Sequence, residues 1–245
     1  MTGRAAGPPG TSSGGPRQEQ EDGIMTTAAF DSTRTRDWMR RFTASVYATE
    51  AELTELDQRV GDGDFGTNLA AGVRAAGLLL DRPEAPAGSA EALGAVATAF
   101  LDEIGGTSGP LFGLLFQALS RAADGSDAGL TTGALAEGTA QGLAAIRRVG
   151  GAEPGDKTLV DALAPAAAAL RAARDAPPAA ALAAAADGAW QGVRDTASLT
   201  ARRGRASYLG ERVTGIPDPG AVGVALLFSA AAGTVRTLAP HLPGG

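Results

Sequence analysis

At 245 residues the chain is long enough for one large domain or two small ones, and its core needs no covalent staples. It has no cysteine, which excludes disulfides, zinc–thiolate sites and thiol nucleophiles. A net charge of −6, with no basic stripe carrying interleaved aromatics, argues against nucleic-acid binding. Apolar residues make up 44% but aromatics only 4%, and alanine, the best helix former, is abundant while strand-favouring residues are sparse. That composition predicts an all-α protein. No apolar run approaches the roughly 20 residues of a membrane span. The N-terminus lacks the basic-then-apolar order of a secretion signal, so no membrane partner and a cytoplasmic location are expected.

Residues 1–29 are rich in Gly, Pro, Ser and Thr and cannot offset the entropy of ordering. They are expected to form a mobile tail ahead of a single domain, 30–245, and Met25 offers an alternative start of translation. From about residue 31, Trp38, Phe42, Val46, Leu53 and Leu56 recur at helical spacing and lead into an acidic loop. A second helix is expected over about 66–80, stopped by Asp81-Arg82-Pro83. A third spans about 89–104 and exits at Gly105-Gly106. A fourth starts near Ser108, with Pro110 in its first turn, and runs to Ala123. A fifth covers about 131–148, a sixth about 157–174, and an alanine-rich seventh about 179–201. A polar segment, 202–218, precedes an eighth helix over about 219–239 that is apolar on most sides.

Eight helices with short connections predict an antiparallel up-and-down bundle or barrel. Strict alternation sends the connections 57–65, 105–109, 150–157 and 202–218 to one end. These are also the connections richest in Gly, Asp, Arg, Ser and Thr, so the chemistry is expected at that end.

The first of them, Leu56–Leu69, holds Asp57, Asp62 and Asp64 among glycines 61, 63 and 66. Carboxylates this close repel unless a hard cation sits between them, and oxygen-only ligands favour Mg²⁺ or Ca²⁺. The string Gly61-Asp-Gly63-Asp-Phe-Gly66 matches G-x-G-x-x-G but follows a helical pattern, not a strand, which argues against a dinucleotide fingerprint. An EF-hand is excluded by Val73 where the closing glutamate belongs. Spacing alone leaves open a plain turn in which Asp62 or Asp64 caps the next helix.

Gly105–Pro110 enters a helix with free N–H groups and two hydroxyls, an anion cradle lacking the Walker lysine, although a Ser cap with Pro in the first turn is ordinary. In Gly155–Leu163, Asp156 is read as a cap of the sixth helix and Asp161 as a solvated side chain. The run 201–212 concentrates four arginines before Pro217-Asp218-Pro219-Gly220. Such an arginine answers phosphate bidentately, and a solvated loop with surface ion pairs is the plain alternative. The sole histidine, His241, is read as exposed and inert, which argues against a Ser-His-Asp triad and a histidine zinc site.

Together the stretches Leu56–Leu69, Gly105–Gly113, Gly155–Ala166 and Gly204–Ala221 resemble the nucleotide-binding L subunit of dihydroxyacetone kinase, the DhaL or DAK2-type family. The resemblance covers about residues 35–240, in order. It implies an eight-helix antiparallel barrel with the nucleotide at one end. It also implies that Asp57, Asp62 and Asp64 hold two Mg²⁺ ions on the phosphates of ADP or ATP. Phe65, Gly66, Thr67 and Asn68, with Gly106, Thr107 and Ser108, would lie against phosphate or sugar, and Gly150 and Leu159 near adenine. Arg205, Asp218, Pro219 and Gly220 would close the site. No protein nucleophile is required, because phosphoryl transfer here is positioning and charge neutralisation.

Phe65 stands where the family usually has histidine, and it cannot hydrogen-bond a phosphate. The family divides labour, so the triose would be held by a separate K subunit and this chain would be inactive alone. Its phosphoryl donor would be exchanging ATP, or a PTS-type phosphotransfer protein that recharges bound ADP from phosphoenolpyruvate. A homodimer is left open. The rival reading, favoured by Phe65, is a divergent DAK2-type binding or regulatory protein without kinase activity of its own.

Overall fold

The structure, a computed structural model, describes residues 1–3, 30–82, 88–102, 108–124 and 129–242. All but the first three residues of the expected tail lie outside that range, as do Gly106 and Thr107. Among the described residues there are eight α-helices and no strand: α1 Ser32–Val60, α2 Phe65–Leu80, α3 Ser89–Asp102, α4 Ser108–Ala123, α5 Thr132–Gly150, α6 Val160–Ala172, α7 Pro178–Thr196 and α8 Pro219–Ser229. Each helix packs on the next, and α8 returns to α1, so the ring closes as the alternation requires. The up-and-down helical barrel read from the sequence is the observed fold.

Local chemistry accounts for the starts. Asp31 caps α1 by accepting the Arg34 N–H at 2.8 Å, Thr131 caps α5 through the Ala134 N–H at 3.1 Å, and Pro178 opens α7. Inside, Phe42, Phe100, Phe112 and Phe116 form one cluster, with Phe100 and Phe116 centroids 5.3 Å apart. The alanine-rich helices need no large side chains because their backbones nearly touch: a methyl group built on Gly192 of α7 would lie 2.8 Å from Ala162 Cα of α6.

The ends depart from the periodicity, for a reason that lies in the tertiary contacts. Helix α1 runs on to Val60, since Val60 continues the buried face of Leu56, and this puts Asp57 in the last helical turn. Helix α7 stops at Thr196, five residues early, where the Thr196 carbonyl accepts from Lys157 Nζ. Helix α8 stops at Ser229, ten residues early, because Arg41 takes the carbonyls of Ala230 and Ala231 at 2.7 and 2.9 Å. The chain beyond then returns as an extended strap along α1, with Val235 N–H on Ser45 Oγ and Leu238 N–H on Glu52 Oε2. Helix α8, which the strap follows, has Ala221 to Phe228 all buried. The strap ends with His241 stacked on Trp190, centroids 4.2 Å apart and planes 10° apart. His241 is therefore half-buried, not exposed, and burial, helped by Arg194, lowers its pKa.

Candidate functional site

At one end of the barrel the 1–2, 5–6 and 7–8 connections and the start of α4 surround a cleft of about 210 Å³. Its acidic side comes from the first connection. Asp57, Asp62 and Asp64 each bring a carboxylate oxygen within 4.8 Å of the others. Three glycines permit this, each differently. Gly63 has φ +78°, which only glycine adopts freely. Gly61 leaves room for Asp57 Oδ1, 2.5 Å from where a Cβ would stand. Gly66 packs directly onto α1 at Thr54 and the Glu50 carbonyl.

Asp57 is 8% exposed and accepts the Phe65 N–H at 3.0 Å. Burial raises its pKa first, the Phe65 N–H opposes this, and the negative charges of Asp62 and Asp64 add to the rise. A carboxylate in the last turn of a helix also faces the negative end of the macrodipole. Three acids in so unfavourable a setting fit a hard divalent cation, and nothing softer than oxygen is present among them. Arg205 answers part of the charge, with its Nη1 2.6 Å from Asp62 Oδ2.

Around these acids the cleft is lined by Phe65 and Asn68 of α2, Ser108 of α4, Gly150 of α5 and Leu159 just before α6. Arg205 and the run Asp218-Pro219-Gly220 complete it. Gly66 and Thr67 are absent from the lining: Gly66 faces α1, and Thr67 points to solvent. Asp218 caps α8 by accepting the Ala221 N–H at 2.7 Å. Its pKa is pushed up to about 7 by burial, against the Ala221 hydrogen bond and the charge of Lys157, with Asp161 and Asp57 raising it further.

Sequence reasoning passed over Lys157. It is 2% exposed, adopts φ +61° although it is not glycine, and donates from Nζ to the carbonyls of Thr196 and Ile216, the latter at 2.6 Å. Both ends of the arginine-bearing segment thus meet on one ammonium at the cleft. Burial lowers its pKa, opposed by Asp218 and Asp161. The available signal was composition: it is the only lysine in a chain with 21 basic residues. Its neighbours also reverse the expected roles. Asp156 does not cap α6; it accepts the Glu153 N–H and lies 3.7 and 3.6 Å from Arg202 and Arg203. Asp161 is not a free solvated side chain, because it accepts the N–H groups of Gly155 and Thr158, the latter at 2.8 Å. Those bonds hold 155–158 out of the helix, so α6 begins at Val160.

A closed ring of eight helices with an acid-lined cleft at one end defines a class, and the comparisons agree with it. The DAK2 domain model matches residues 59–233, and the chain belongs to that family as a DhaL-type domain. It is 33% identical over 201 residues to the PEP-dependent dihydroxyacetone kinase 1, ADP-binding subunit DhaL of Listeria innocua, covering 82% of this chain and 96% of that one. It is 38% identical over 223 residues to the L-erythrulose 1-kinase of Mycolicibacterium smegmatis, covering 88% of this chain but 39% of that longer protein. The dihydroxyacetone kinase from C. freundii in complex with AMP-PNP and Mg²⁺ superposes with a TM-score of 0.63 at 28% identity, over 92% of this chain and 38% of that one.

Proposed function

We propose that the chain is the Mg²⁺–adenine-nucleotide-binding subunit of a small-ketose kinase. It would deliver a phosphoryl group to dihydroxyacetone, or a near relative such as erythrulose, held by a separate K subunit. The observation that carries this reading is the convergence of Asp57, Asp62 and Asp64 in a cleft that Arg205 also enters. Bound Mg²⁺, two ions by the family resemblance, would neutralise phosphate charge and polarise the transferred group.

The chain's own residues hold and exclude. The three aspartates supply the oxygen ligands. Arg205 exchanges its partner Asp62 for phosphate oxygens, and its planar fork suits them. The Asn68 amide and the Ser108 hydroxyl reach phosphate or sugar. Leu111, Ile146 and Leu159, apolar residues of the lining, would take the base. No side chain acts as a nucleophile. The attacking hydroxyl belongs to the ketose, and the base that takes its proton would come from the K subunit that holds it. Phe65, the feature favouring a non-catalytic relative, takes nothing from this arrangement, because its N–H already serves Asp57.

Asp62→Asn is expected to abolish Mg²⁺-dependent ADP binding in calorimetry while the helical circular dichroism persists; unchanged binding would sink the reading. Titration stoichiometry counts the ions. Mass analysis of the purified protein separates the two donor modes, since retained ADP supports the phosphoenolpyruvate-recharged mode and freely exchanging ATP the other. Assay with a K subunit and either ketose then identifies the acceptor.

A further inference from the structure

Phe65 is the first residue of α2 and is 6% exposed. Its backbone N–H points to Asp57 Oδ2, while the tip of its buried ring lies against Gly223 of α8. A methyl group built on Gly223 would stand 3.0 Å from Phe65 Cζ and 2.9 Å from Phe112 Cζ. Carbon atoms pack at about 3.5–4.0 Å, so no side chain fits there without moving a ring. Glycine inside a helix costs about 1 kcal/mol against alanine. The close ring contact is what α8 gains in return. On the other side, Gly66 is pressed onto the α1 backbone. The start of α2 is thus wedged between α1 and α8, and the N–H that orients Asp57 is held with it.

We propose that Phe65 is a positioning residue for the metal-binding acids, and that its contact with Gly223 sets the affinity of the cleft for the divalent cation. The inference rests on the Mg²⁺–nucleotide reading above. It gives a phenylalanine, which has nothing to offer a phosphate, a defined part in the site: the backbone N–H orients Asp57 and the ring locks that N–H in place. Groups that orient a metal ligand from behind commonly change metal affinity about 10–100-fold when disturbed.

The test is a calorimetric titration of Mg²⁺ in the presence of ADP, with thermal melts in parallel, on the full chain. Wild type, Gly223→Ala, Phe65→Leu and the double variant are compared. Gly223→Ala is expected to weaken Mg²⁺ binding about tenfold. Phe65→Leu weakens it less, and the double variant binds better than Gly223→Ala alone because the shorter side chain relieves the clash on the Phe65 side and leaves only the one with Phe112, which carries no link to Asp57. A purely structural contact would move the melting temperature and leave the Mg²⁺ dependence where it was. That result, or a double variant no better than Gly223→Ala, overturns the proposal. Should Gly223→Ala fail to fold, Phe65→Leu decides alone, and unchanged Mg²⁺ affinity overturns it. A wild type that binds no Mg²⁺–ADP sinks the functional reading and this proposal together; a wild type that binds, with every variant unmoved, sinks the lock alone.

Discussion

Asp57 and Asp218 are the two carboxyls that the fold treats worst, and both border the cleft. Each is held above the ordinary carboxylate pKa chiefly by burial, with backbone N–H groups as partial compensation. For Asp218 the consequence for stability has a definite sign. Its folded pKa of about 7 lies above the ordinary value of 3.8, so between those values the folded state binds the extra proton. Stability therefore falls as pH rises through that window, and the loss persists above it. Asp218→Asn keeps a side-chain acceptor for the Ala221 N–H but has no proton to lose. Melting wild type and variant between pH 5 and 8 is expected to show the variant gaining relative stability as pH rises; parallel curves would refute the assignment. Three acids gathered in one glycine-rich loop were legible in the sequence, where spacing left a cation site and a plain capping turn both open and the family resemblance favoured the cation. What spacing did not contain was that Asp57 belongs to a helix and is buried, because that depends on Val60 extending the packed face of α1.

Among the elements, most helix bounds followed local rules, including the ends of α2 at Leu80 and α4 at Ala123, but the ends of α7 and α8 did not. Caps and prolines at the starts are side chains within three residues of what they bind. The ends of α7 and α8 are set by cations from distant segments, Lys157 and Arg41, that take carbonyls the next turn would have used. Lys157 does more than end α7, since its second carbonyl, Ile216, lies at the far side of the arginine-bearing segment. Lys157→Met would leave two buried carbonyls without that donor. A loss of about 2 kcal/mol or more is expected in urea denaturation. Lys157→Arg should not restore it, because a planar guanidinium cannot replace a compact ammonium inside so tight a turn. Full rescue by arginine would show that charge alone matters there.

At the scale of the molecule, α8 closes the ring and is buried from Ala221 to Phe228. The strap from Ala230 onward leads back from it over α1 and α7, anchored on Arg41, Ser45, Glu52 and Trp190. Truncation after Gly233 keeps the Arg41 contacts but removes Leu238, which is 1% exposed, and the His241 stack. Losing one buried leucine is worth about 2 kcal/mol, and for a domain of this size 1 kcal/mol shifts the melting temperature by roughly 2–4 °C. A drop of roughly 4–8 °C is expected on those scales, with Mg²⁺–ADP affinity little changed because no strap residue lines the cleft. Strong loss of binding would mean that the strap couples to the site.

The sequence by itself determined the fold class, the number and order of helices, and the end at which the chemistry gathers. Those follow from periodicity, glycine and proline punctuation and strict alternation, which are all local or combinatorial. It also determined the three aspartates and the four loop stretches that mark the family. Only the tertiary structure decided where α7 and α8 stop, that Gly66 and Thr67 stay out of the cleft, and that Asp156 and Asp161 act differently from their expected roles. It also decided that the lone lysine binds the site together and that Phe65 faces inward. The helix ends, the lysine and the Phe65 ring depend on partners far along the chain that no window of neighbouring residues contains, whereas Asp161 finds its partners within six residues, in a turn that periodicity does not describe.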